Sequence, residues 1–508
     1  MERVGSVLHH MTIGHFQSYG KWPWQHFNSL EKQLSEHPSF VVGEFLFIAT
    51  AMLSLYHAWT TPDPSSKRRL KLVWITTLVG GTVNDYFFML LPIVDNFWQA
   101  QAIFMLTPRM PLYIPCVYIT FMYWPIVIAA RVFCFTRKDI LAEACFAGLL
   151  AGITYAPYDV NGARFLWWTW HDDDAGVKLR WFGVPAGSTL WTITFTASMS
   201  FLLRLGSNYG FRQLATLMLG CMSVLLMMVV INPFCIIGMA FGEDRVGKPG
   251  RFSLLAAICI MGAIVARCVV RASEHKLSLP TLIAPERLSV RCGLICYFLV
   301  HVLVMSIFSP ERQISTGAHQ LYSHGQCGSM DFDLMGLPRL QYICAQKYPD
   351  WYFSFECPET NQHLRDDGQW WLSGRWARLT PDKTAEVALW KVKDSNGVLT
   401  GETKQDSQSS WYTICGTRHK SWHQWMLLQV VLAIIGVVAY VLALNYSTHY
   451  VVASDTTKEK KELPEPSNDT DSKSPKVINN GSNVSLQQTT AGKKPRSATP
   501  PPKPSKLP

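Results

Sequence analysis

Runs of about twenty residues with almost no charge decide what this chain can fold into. A helix rises about 1.5 Å per residue, so a bilayer core about 30 Å thick takes roughly twenty helical residues to cross. Nine such runs occur, at 39–59, 70–92, 111–133, 140–158, 186–205, 213–240, 252–271, 292–308 and 424–446. They predict an all-α polytopic transmembrane helix bundle of about nine spans. Pro115 and Pro125 fall inside a run, which membrane helices tolerate when neighbours satisfy the freed backbone groups. The sixth run is long enough to be tilted, or broken near Asn232 and Pro233. No cleavable signal peptide is visible, because the first apolar run begins only near Ser39, so the first span has to direct insertion.

The runs set the organisation. Residues 1–38 read as an N-terminal interfacial segment in which GKWPWQHF rests at the water–lipid boundary. Residues 39–308 form an eight-span bundle, 309–423 a small extramembrane domain, and 424–446 the last span. In the extramembrane domain ARLTPDKTAEVALWKVKDSNGVLTGET predicts short strands with a turn at Asn396–Gly397. Residues 447–508 are a basic, Pro- and Ser-rich tail without large apolar clusters, which predicts disorder.

Charge and cysteine place the loops. The net charge of +10 sits in loops and the tail rather than in a patch for nucleic acid, so no nucleic-acid partner is expected. Loops after the first, third, fifth and seventh spans carry most of the basic residues, among them Lys67, Arg68, Arg69, Arg137, Lys138, Arg212 and Lys276. Basic excess marks the cytosolic side, which puts the N-terminus outside and the C-terminus in the cytosol, in the plasma membrane or an endomembrane. Nine of the thirteen cysteines lie in or beside spans. The other four, Cys327, Cys344, Cys357 and Cys415, share the long loop and read as two disulfides of open connectivity. Against this orientation, three glycosylation sequons at Asn468, Asn480 and Asn483 lie in the tail.

Ionisable residues inside spans are expensive and tend to mark function. Under this topology Glu44, Asn84, Asp85, Asp159 and the run His171 to Asp174 all fall near the outer leaflet, with Arg109 in a neighbouring loop. FLWWTWHDDDAG joins the acidic run to Trp167, Trp168 and Trp170, which belong at the interfacial belt. Asp85, Glu44, Asp159 and His171 are the candidate catalytic groups. Asn84, Trp167, Trp168, Trp170, Asp172 and Arg109 are the candidate substrate-binding groups. Each has a plainer reading: tryptophans as anchors, the aspartates as solvated surface, Asp85 as a carboxyl hydrogen-bonded within the bundle. No metal site and no cofactor is indicated, because HExxH, GxSxG and P-loop patterns are all missing.

GGTVNDYFFMLLPIVDNFWQAQ at 80–101, FLWWTWHDDD at 165–174, the four-cysteine loop and WYTICG at 411–416 together resemble an uncharacterised family of multi-pass membrane proteins, a domain of unknown function numbered 7802. The resemblance covers most of 40–446 and implies no activity. Residues 157–191 are also similar to carotenoid hydratase-type membrane proteins, in which an aspartate precedes a Trp-x-Trp pair and an aromatic-Gly-Val/Ile-Pro turn. The matching positions are Asp159, Trp168, Trp170 and Phe182 to Pro185, while Ser188 stands where that pattern has asparagine.

Three functions compete. An intramembrane enzyme acting on an isoprenoid or other lipid would use Asp85 or Glu44 to protonate an alkene or leaving group, with Asp159 or His171 positioning water. A transporter, channel or receptor would use the same acidic mouth to collect a small cationic ligand or protons. A membrane scaffold would bind a partner through the extramembrane domain. Beyond the lipid bilayer itself, the tail offers a partner site: PPKPSK at 501–506 fits a polyproline segment for an SH3-type domain.

Overall fold

The computed structural model describes residues 28–90, 97–107, 109–133, 139–170, 175–181, 183–242, 248–274, 287–318 and 421–459, with short strands between 330 and 416. A short α1 (Leu30–Glu36) leads into α2 (Pro38–Thr60), α3 (Pro64–Leu90), α4 (Tyr113–Val132) and α5 (Ile140–Arg164). The single turn α6 (Ala175–Lys178) precedes α7 (Ala186–Asn208), α8 (Gln213–Cys221), α9 (Ser223–Ala240), α10 (Arg251–Glu274), α11 (Leu288–Ile307) and α12 (Trp422–Glu459). One unit of the chain ends at Lys458, and of the residues beyond it only Glu459 is described.

Seven helices, α2, α4, α5, α9, α10, α11 and α12, are long and apolar enough to cross a membrane. The other two expected spans, α3 and α7, have the length, 27 and 23 residues, but a more polar composition. α3 opens on a basic turn and carries Asn84 and Asp85 near its end. α7 is rich in Thr and Ser, whose hydroxyls turn back to the helix's own carbonyls, Thr192 to Ser188 at 3.0 Å and Thr194 to Leu190 at 2.8 Å. Asp63 starts α3 by accepting from the Ser66 N–H at 2.7 Å, with Pro64 at the first helical position.

Of the two readings of the sixth run, tilted or broken near Asn232 and Pro233, the break falls elsewhere. The chain breaks at Met222, between α8 and α9, and α9 continues through Pro233. Asn232 Nδ2 donates to the Met228 carbonyl at 3.0 Å there, one turn back, the kind of side-chain support that lets a membrane helix keep a proline. The fourth span is also longer than expected: α5 runs on to Arg164, so Asp159 lies more than a turn inside its end.

α4 is the axis of the bundle. It has no Asp, Glu, Lys, Arg or His before Arg131 and is buried on nearly every face, as a largely apolar helix should be. α2, α3 and α5 pack around it, and α7 packs on α5 and α9. The outer helices leave apolar side chains such as Val229, Leu288, Leu427 and Leu442 exposed, the face a bilayer would cover. At the end where α3 and α5 begin, Glu143 lies 3.6 Å from Arg69 and 3.3 Å from Arg204. This buried carboxylate joins α3, α5 and α7.

Strands gather at the other end. β1 (Phe97–Gln99) pairs antiparallel with β4 (Trp168–Trp170), β2 (Met105–Thr107) with β3 (Met110–Pro111), and β5 (Arg180–Trp181) with β6 (Val184–Pro185). β7 (Ile314–Ala318), β8 (Phe353–Ser354) and β9 (Trp411–Gly416) make a three-stranded antiparallel sheet in the order β8-β9-β7. Val392–Lys393 pairs antiparallel with Leu399–Thr400, and the turn expected at Asn396–Gly397 lies outside the described residues. Ser39 at the start of α2 donates to Gln313 Oε1 at 2.8 Å, fastening the foot of β7 to the bundle. Of the four loop cysteines only Cys415 is described, fully buried on β9; Cys327, Cys344 and Cys357, and with them the pairing expected of this loop, lie outside the described residues. Cys134 lies outside them too; the other eight cysteines in or beside spans form no disulfide.

Candidate functional site

Strand alternation sorts the tryptophans of FLWWTWHDDDAG. Successive strand residues face opposite sides, so Trp168 and Trp170 share a face while Thr169 points away. Pairing with β1 sets Gln99 opposite Trp168 and Phe97 opposite Trp170. Both tryptophans, with Phe97 and Gln99, line a cavity of about 220 Å³.

Helices α3, α4, α5, α7 and α9 complete this cavity. Its aromatic wall is tightly engaged: Tyr158 and Trp168 lie 4.2 Å apart, Phe121 and Tyr155 4.8 Å, and Trp168 meets Trp170 edge-on at 5.9 Å. Gly162 is obligatory here, because a Cβ at that position would overlap the Trp168 ring. Polar groups interrupt the wall at few places. Asn84 Nδ2 donates to the Tyr118 hydroxyl at 3.0 Å, and Tyr118 donates to Asp85 Oδ1 at 2.7 Å. On the α7 side Ser188 donates to Asp159 Oδ2 at 2.8 Å. Two hydroxyls on the lining, Tyr118 and Ser188, are thus each backed by a buried carboxyl.

Trp167 goes elsewhere. Its ring enters the bundle against Gly43 and Phe40, and its N–H donates to Ser39 Oγ at 3.2 Å. The turn that aims it has Leu166 at φ +59°, with Trp167 N bonding to the Gly162 carbonyl at 2.8 Å. This is a left-handed helix C-terminus with leucine where glycine is usual. All three tryptophans are buried, at 0, 4 and 5 % exposure, so the expected interfacial anchors are core and cavity wall.

The remaining sequence candidates separate. Glu44 takes the backbone N–H groups of Ile103 and Phe104 at 2.9 and 2.8 Å, one on each oxygen; it holds the loop below β2 and does not line the cavity. Arg109 Nη1 donates to the Met89 carbonyl at 2.9 Å and closes the end of α3. His171 and Asp172, with the rest of the acidic run, lie outside the described residues. Tyr118, Gln99, Ser188, Tyr155, Tyr158 and Trp191 line the cavity without having been singled out. For Tyr118 a signal existed, since a tyrosine inside an apolar span, at the depth of Asn84 and Asp85, needs a polar partner. Among the described residues no three His, Cys, Asp or Glu side chains gather in a way that would hold a metal ion.

A helical bundle with seven described helices of membrane-crossing length and apolarity, and a polar and aromatic cavity near one end, is compatible with the class of polytopic integral membrane proteins. Within that class the chain belongs to the family described as Domain of unknown function (DUF7802), whose family model matches residues 18–373. No curated protein and no solved structure matches it. The match takes in residues 157–191, and the similarity of that stretch to carotenoid hydratase-type proteins is not supported.

Proposed function

We propose that the cavity binds an isoprenoid or other lipid and that the protein acts on it by proton transfer, with Asp85 as the acid. The observation that carries this reading is the Tyr118 hydroxyl donating at 2.7 Å to a carboxyl in the wall of an otherwise apolar, aromatic cavity. Ligand sites have this character, a largely apolar lining with a few convergent polar groups. Asp85 gives its proton to one carbon of a double bond, whose π electrons form the new C–H bond. Positive charge develops on the neighbouring carbon, where the faces of Tyr155, Trp168 and Trp191 stabilise it. Water adds to that carbon and its spare proton returns to Asp85, so the net change is addition of water. Tyr118, held by Asn84, keeps the carboxyl in place.

Incubating the purified protein, reconstituted in a lipid extract, and analysing the lipids by mass spectrometry tests the proposal. A hydrated product formed only with active protein supports it. Unchanged lipids together with ion flux across the same vesicles favour a transporter, channel or receptor using the same carboxyl. Replacing Asp172, Asp173 and Asp174 together by Asn should leave turnover of a neutral lipid within about twofold, whereas capture of a cationic ligand would weaken in a salt-dependent way.

A further inference from the structure

A second cavity, of about 170 Å³, opens between α5, α7, α10 and α12. Leu254, Leu428, Leu432, Trp181 and Thr189 line it with Asp159. Leu254 is buried, while Trp181, Thr189, Leu428 and Leu432 are half-exposed, so the cavity has a side toward the surroundings of the bundle. Asp159 is 1 % exposed. Its Oδ2 accepts from Ser188, and its other oxygen, Oδ1, has no hydrogen-bond partner among the described residues. A buried polar atom left so is unfavourable, and in this setting it is a recognition point.

We propose that this groove binds the head of a neutral lipid bearing a single hydroxyl on an otherwise apolar chain. The hydroxyl is the one simple head that suits Asp159 in either protonation state, because it can donate to a carboxylate or accept from a carboxylic acid. A charged amine head would have to be dehydrated as well, an unfavourable step that precedes any pairing. The groove is smaller than the roughly 300–1,000 Å³ that encloses a whole drug-sized ligand. It therefore takes the hydroxyl and the first carbons, and the rest of the chain lies along the exposed apolar faces of α10 and α12. Ser188 lines the main cavity and bonds Asp159, so occupancy of the groove reaches that cavity through one hydrogen bond. The site stands whether or not the main cavity is catalytic.

The test is photolabelling of the full-length protein in vesicles with diazirine- and alkyne-tagged probes: a long-chain alcohol, a sterol, and a hydrocarbon of the alcohol's length without the hydroxyl. The expected result is labelling of α10 and α12 peptides at least about tenfold stronger with a hydroxyl probe than with the hydrocarbon, the alcohol and sterol arms telling which lipid shape is preferred. Asp159→Ala should erase that difference. Leu432→Trp, which fills the groove from its half-exposed side and touches neither carboxyl, should remove the labelling by either hydroxyl probe. Equal labelling by alcohol and hydrocarbon in the unaltered protein, or hydroxyl-probe labelling that survives Leu432→Trp, overturns the proposal.

Discussion

At the scale of single residues, the molecule spends its glycines and buried polar groups on placing aromatic rings. Gly43 is the clearest case. A Cβ there would sit 2.5 Å from the Trp167 ring, which is fully buried and cannot move aside. Gly43→Ala should destabilise the protein by about 1–3 kcal/mol, the usual range for overpacking, read as a lower melting temperature in detergent and a changed tryptophan emission. His37 gives a pH prediction. It sits just ahead of α2, its Nε2 meets the Phe165 carbonyl, and burial lowers its pKa from 6.5 to about 4 despite that bond. Between those values the unfolded chain binds a proton that the folded protein excludes, so this group's contribution is complete above about pH 6.5 and is lost as pH falls toward about 4. Thermal stability measured across that window should fall with pH. His37→Gln, which keeps a donor for the carbonyl without the titration, should flatten the slope.

At the scale of elements, the buried carboxylate of Glu143 holds three helices at one end. Removing it leaves Arg204, only 9 % exposed, without that partner. Glu143→Ala should therefore cost about 3–5 kcal/mol, seen as loss of monodisperse protein on size exclusion, and Glu143→Ala with Arg204→Leu should recover part of it. The helices themselves were legible, because an apolar run of twenty residues has few alternatives. Their ends were less so. α5 passes Asp159 and continues to Arg164, whose guanidinium lies 3.7 Å from the Trp425 ring, and a charge satisfied by a distant helix is invisible in a hydropathy window. The break at Met222 lacks the proline that sequence reading looks for. The β1–β4 pair joins residues about seventy apart in sequence, which no local pattern announces. Yet Trp168-Thr169-Trp170 alternates as a strand does, and that signal was present. Depth reasoning gathered Glu44, Asn84, Asp85 and Asp159 at one end of the bundle, where they are found. It could not tell Glu44, occupied by backbone, from Asp85, which lines a cavity.

At the scale of the whole molecule, the seven apolar helices are compatible with a membrane protein and do not set which face is outside. The basic loops argue for an outside N-terminus and a cytosolic tail. On that proposal Cys327, Cys344, Cys357 and Cys415 should resist maleimide in intact cells until reduced. Labelling without reductant from the cytosolic side, or glycan on Asn468, Asn480 or Asn483, would reverse the orientation. The central claim is that Asp85 passes protons to a lipid held among aromatic rings, and one measurement meets it directly. Purified protein and the Asp85→Asn variant are incubated with lipid extract in deuterium oxide, and carbon-bound deuterium in the recovered lipids is measured by mass spectrometry. Asn keeps the size and a hydrogen-bonding oxygen for Tyr118 but has no titratable proton, so the variant should fold. The account predicts deuterium on carbon in a specific lipid with the unaltered protein, reduced at least about a hundredfold by Asp85→Asn. No incorporation with either protein, or equal incorporation by a folded Asp85→Asn variant, would contradict it.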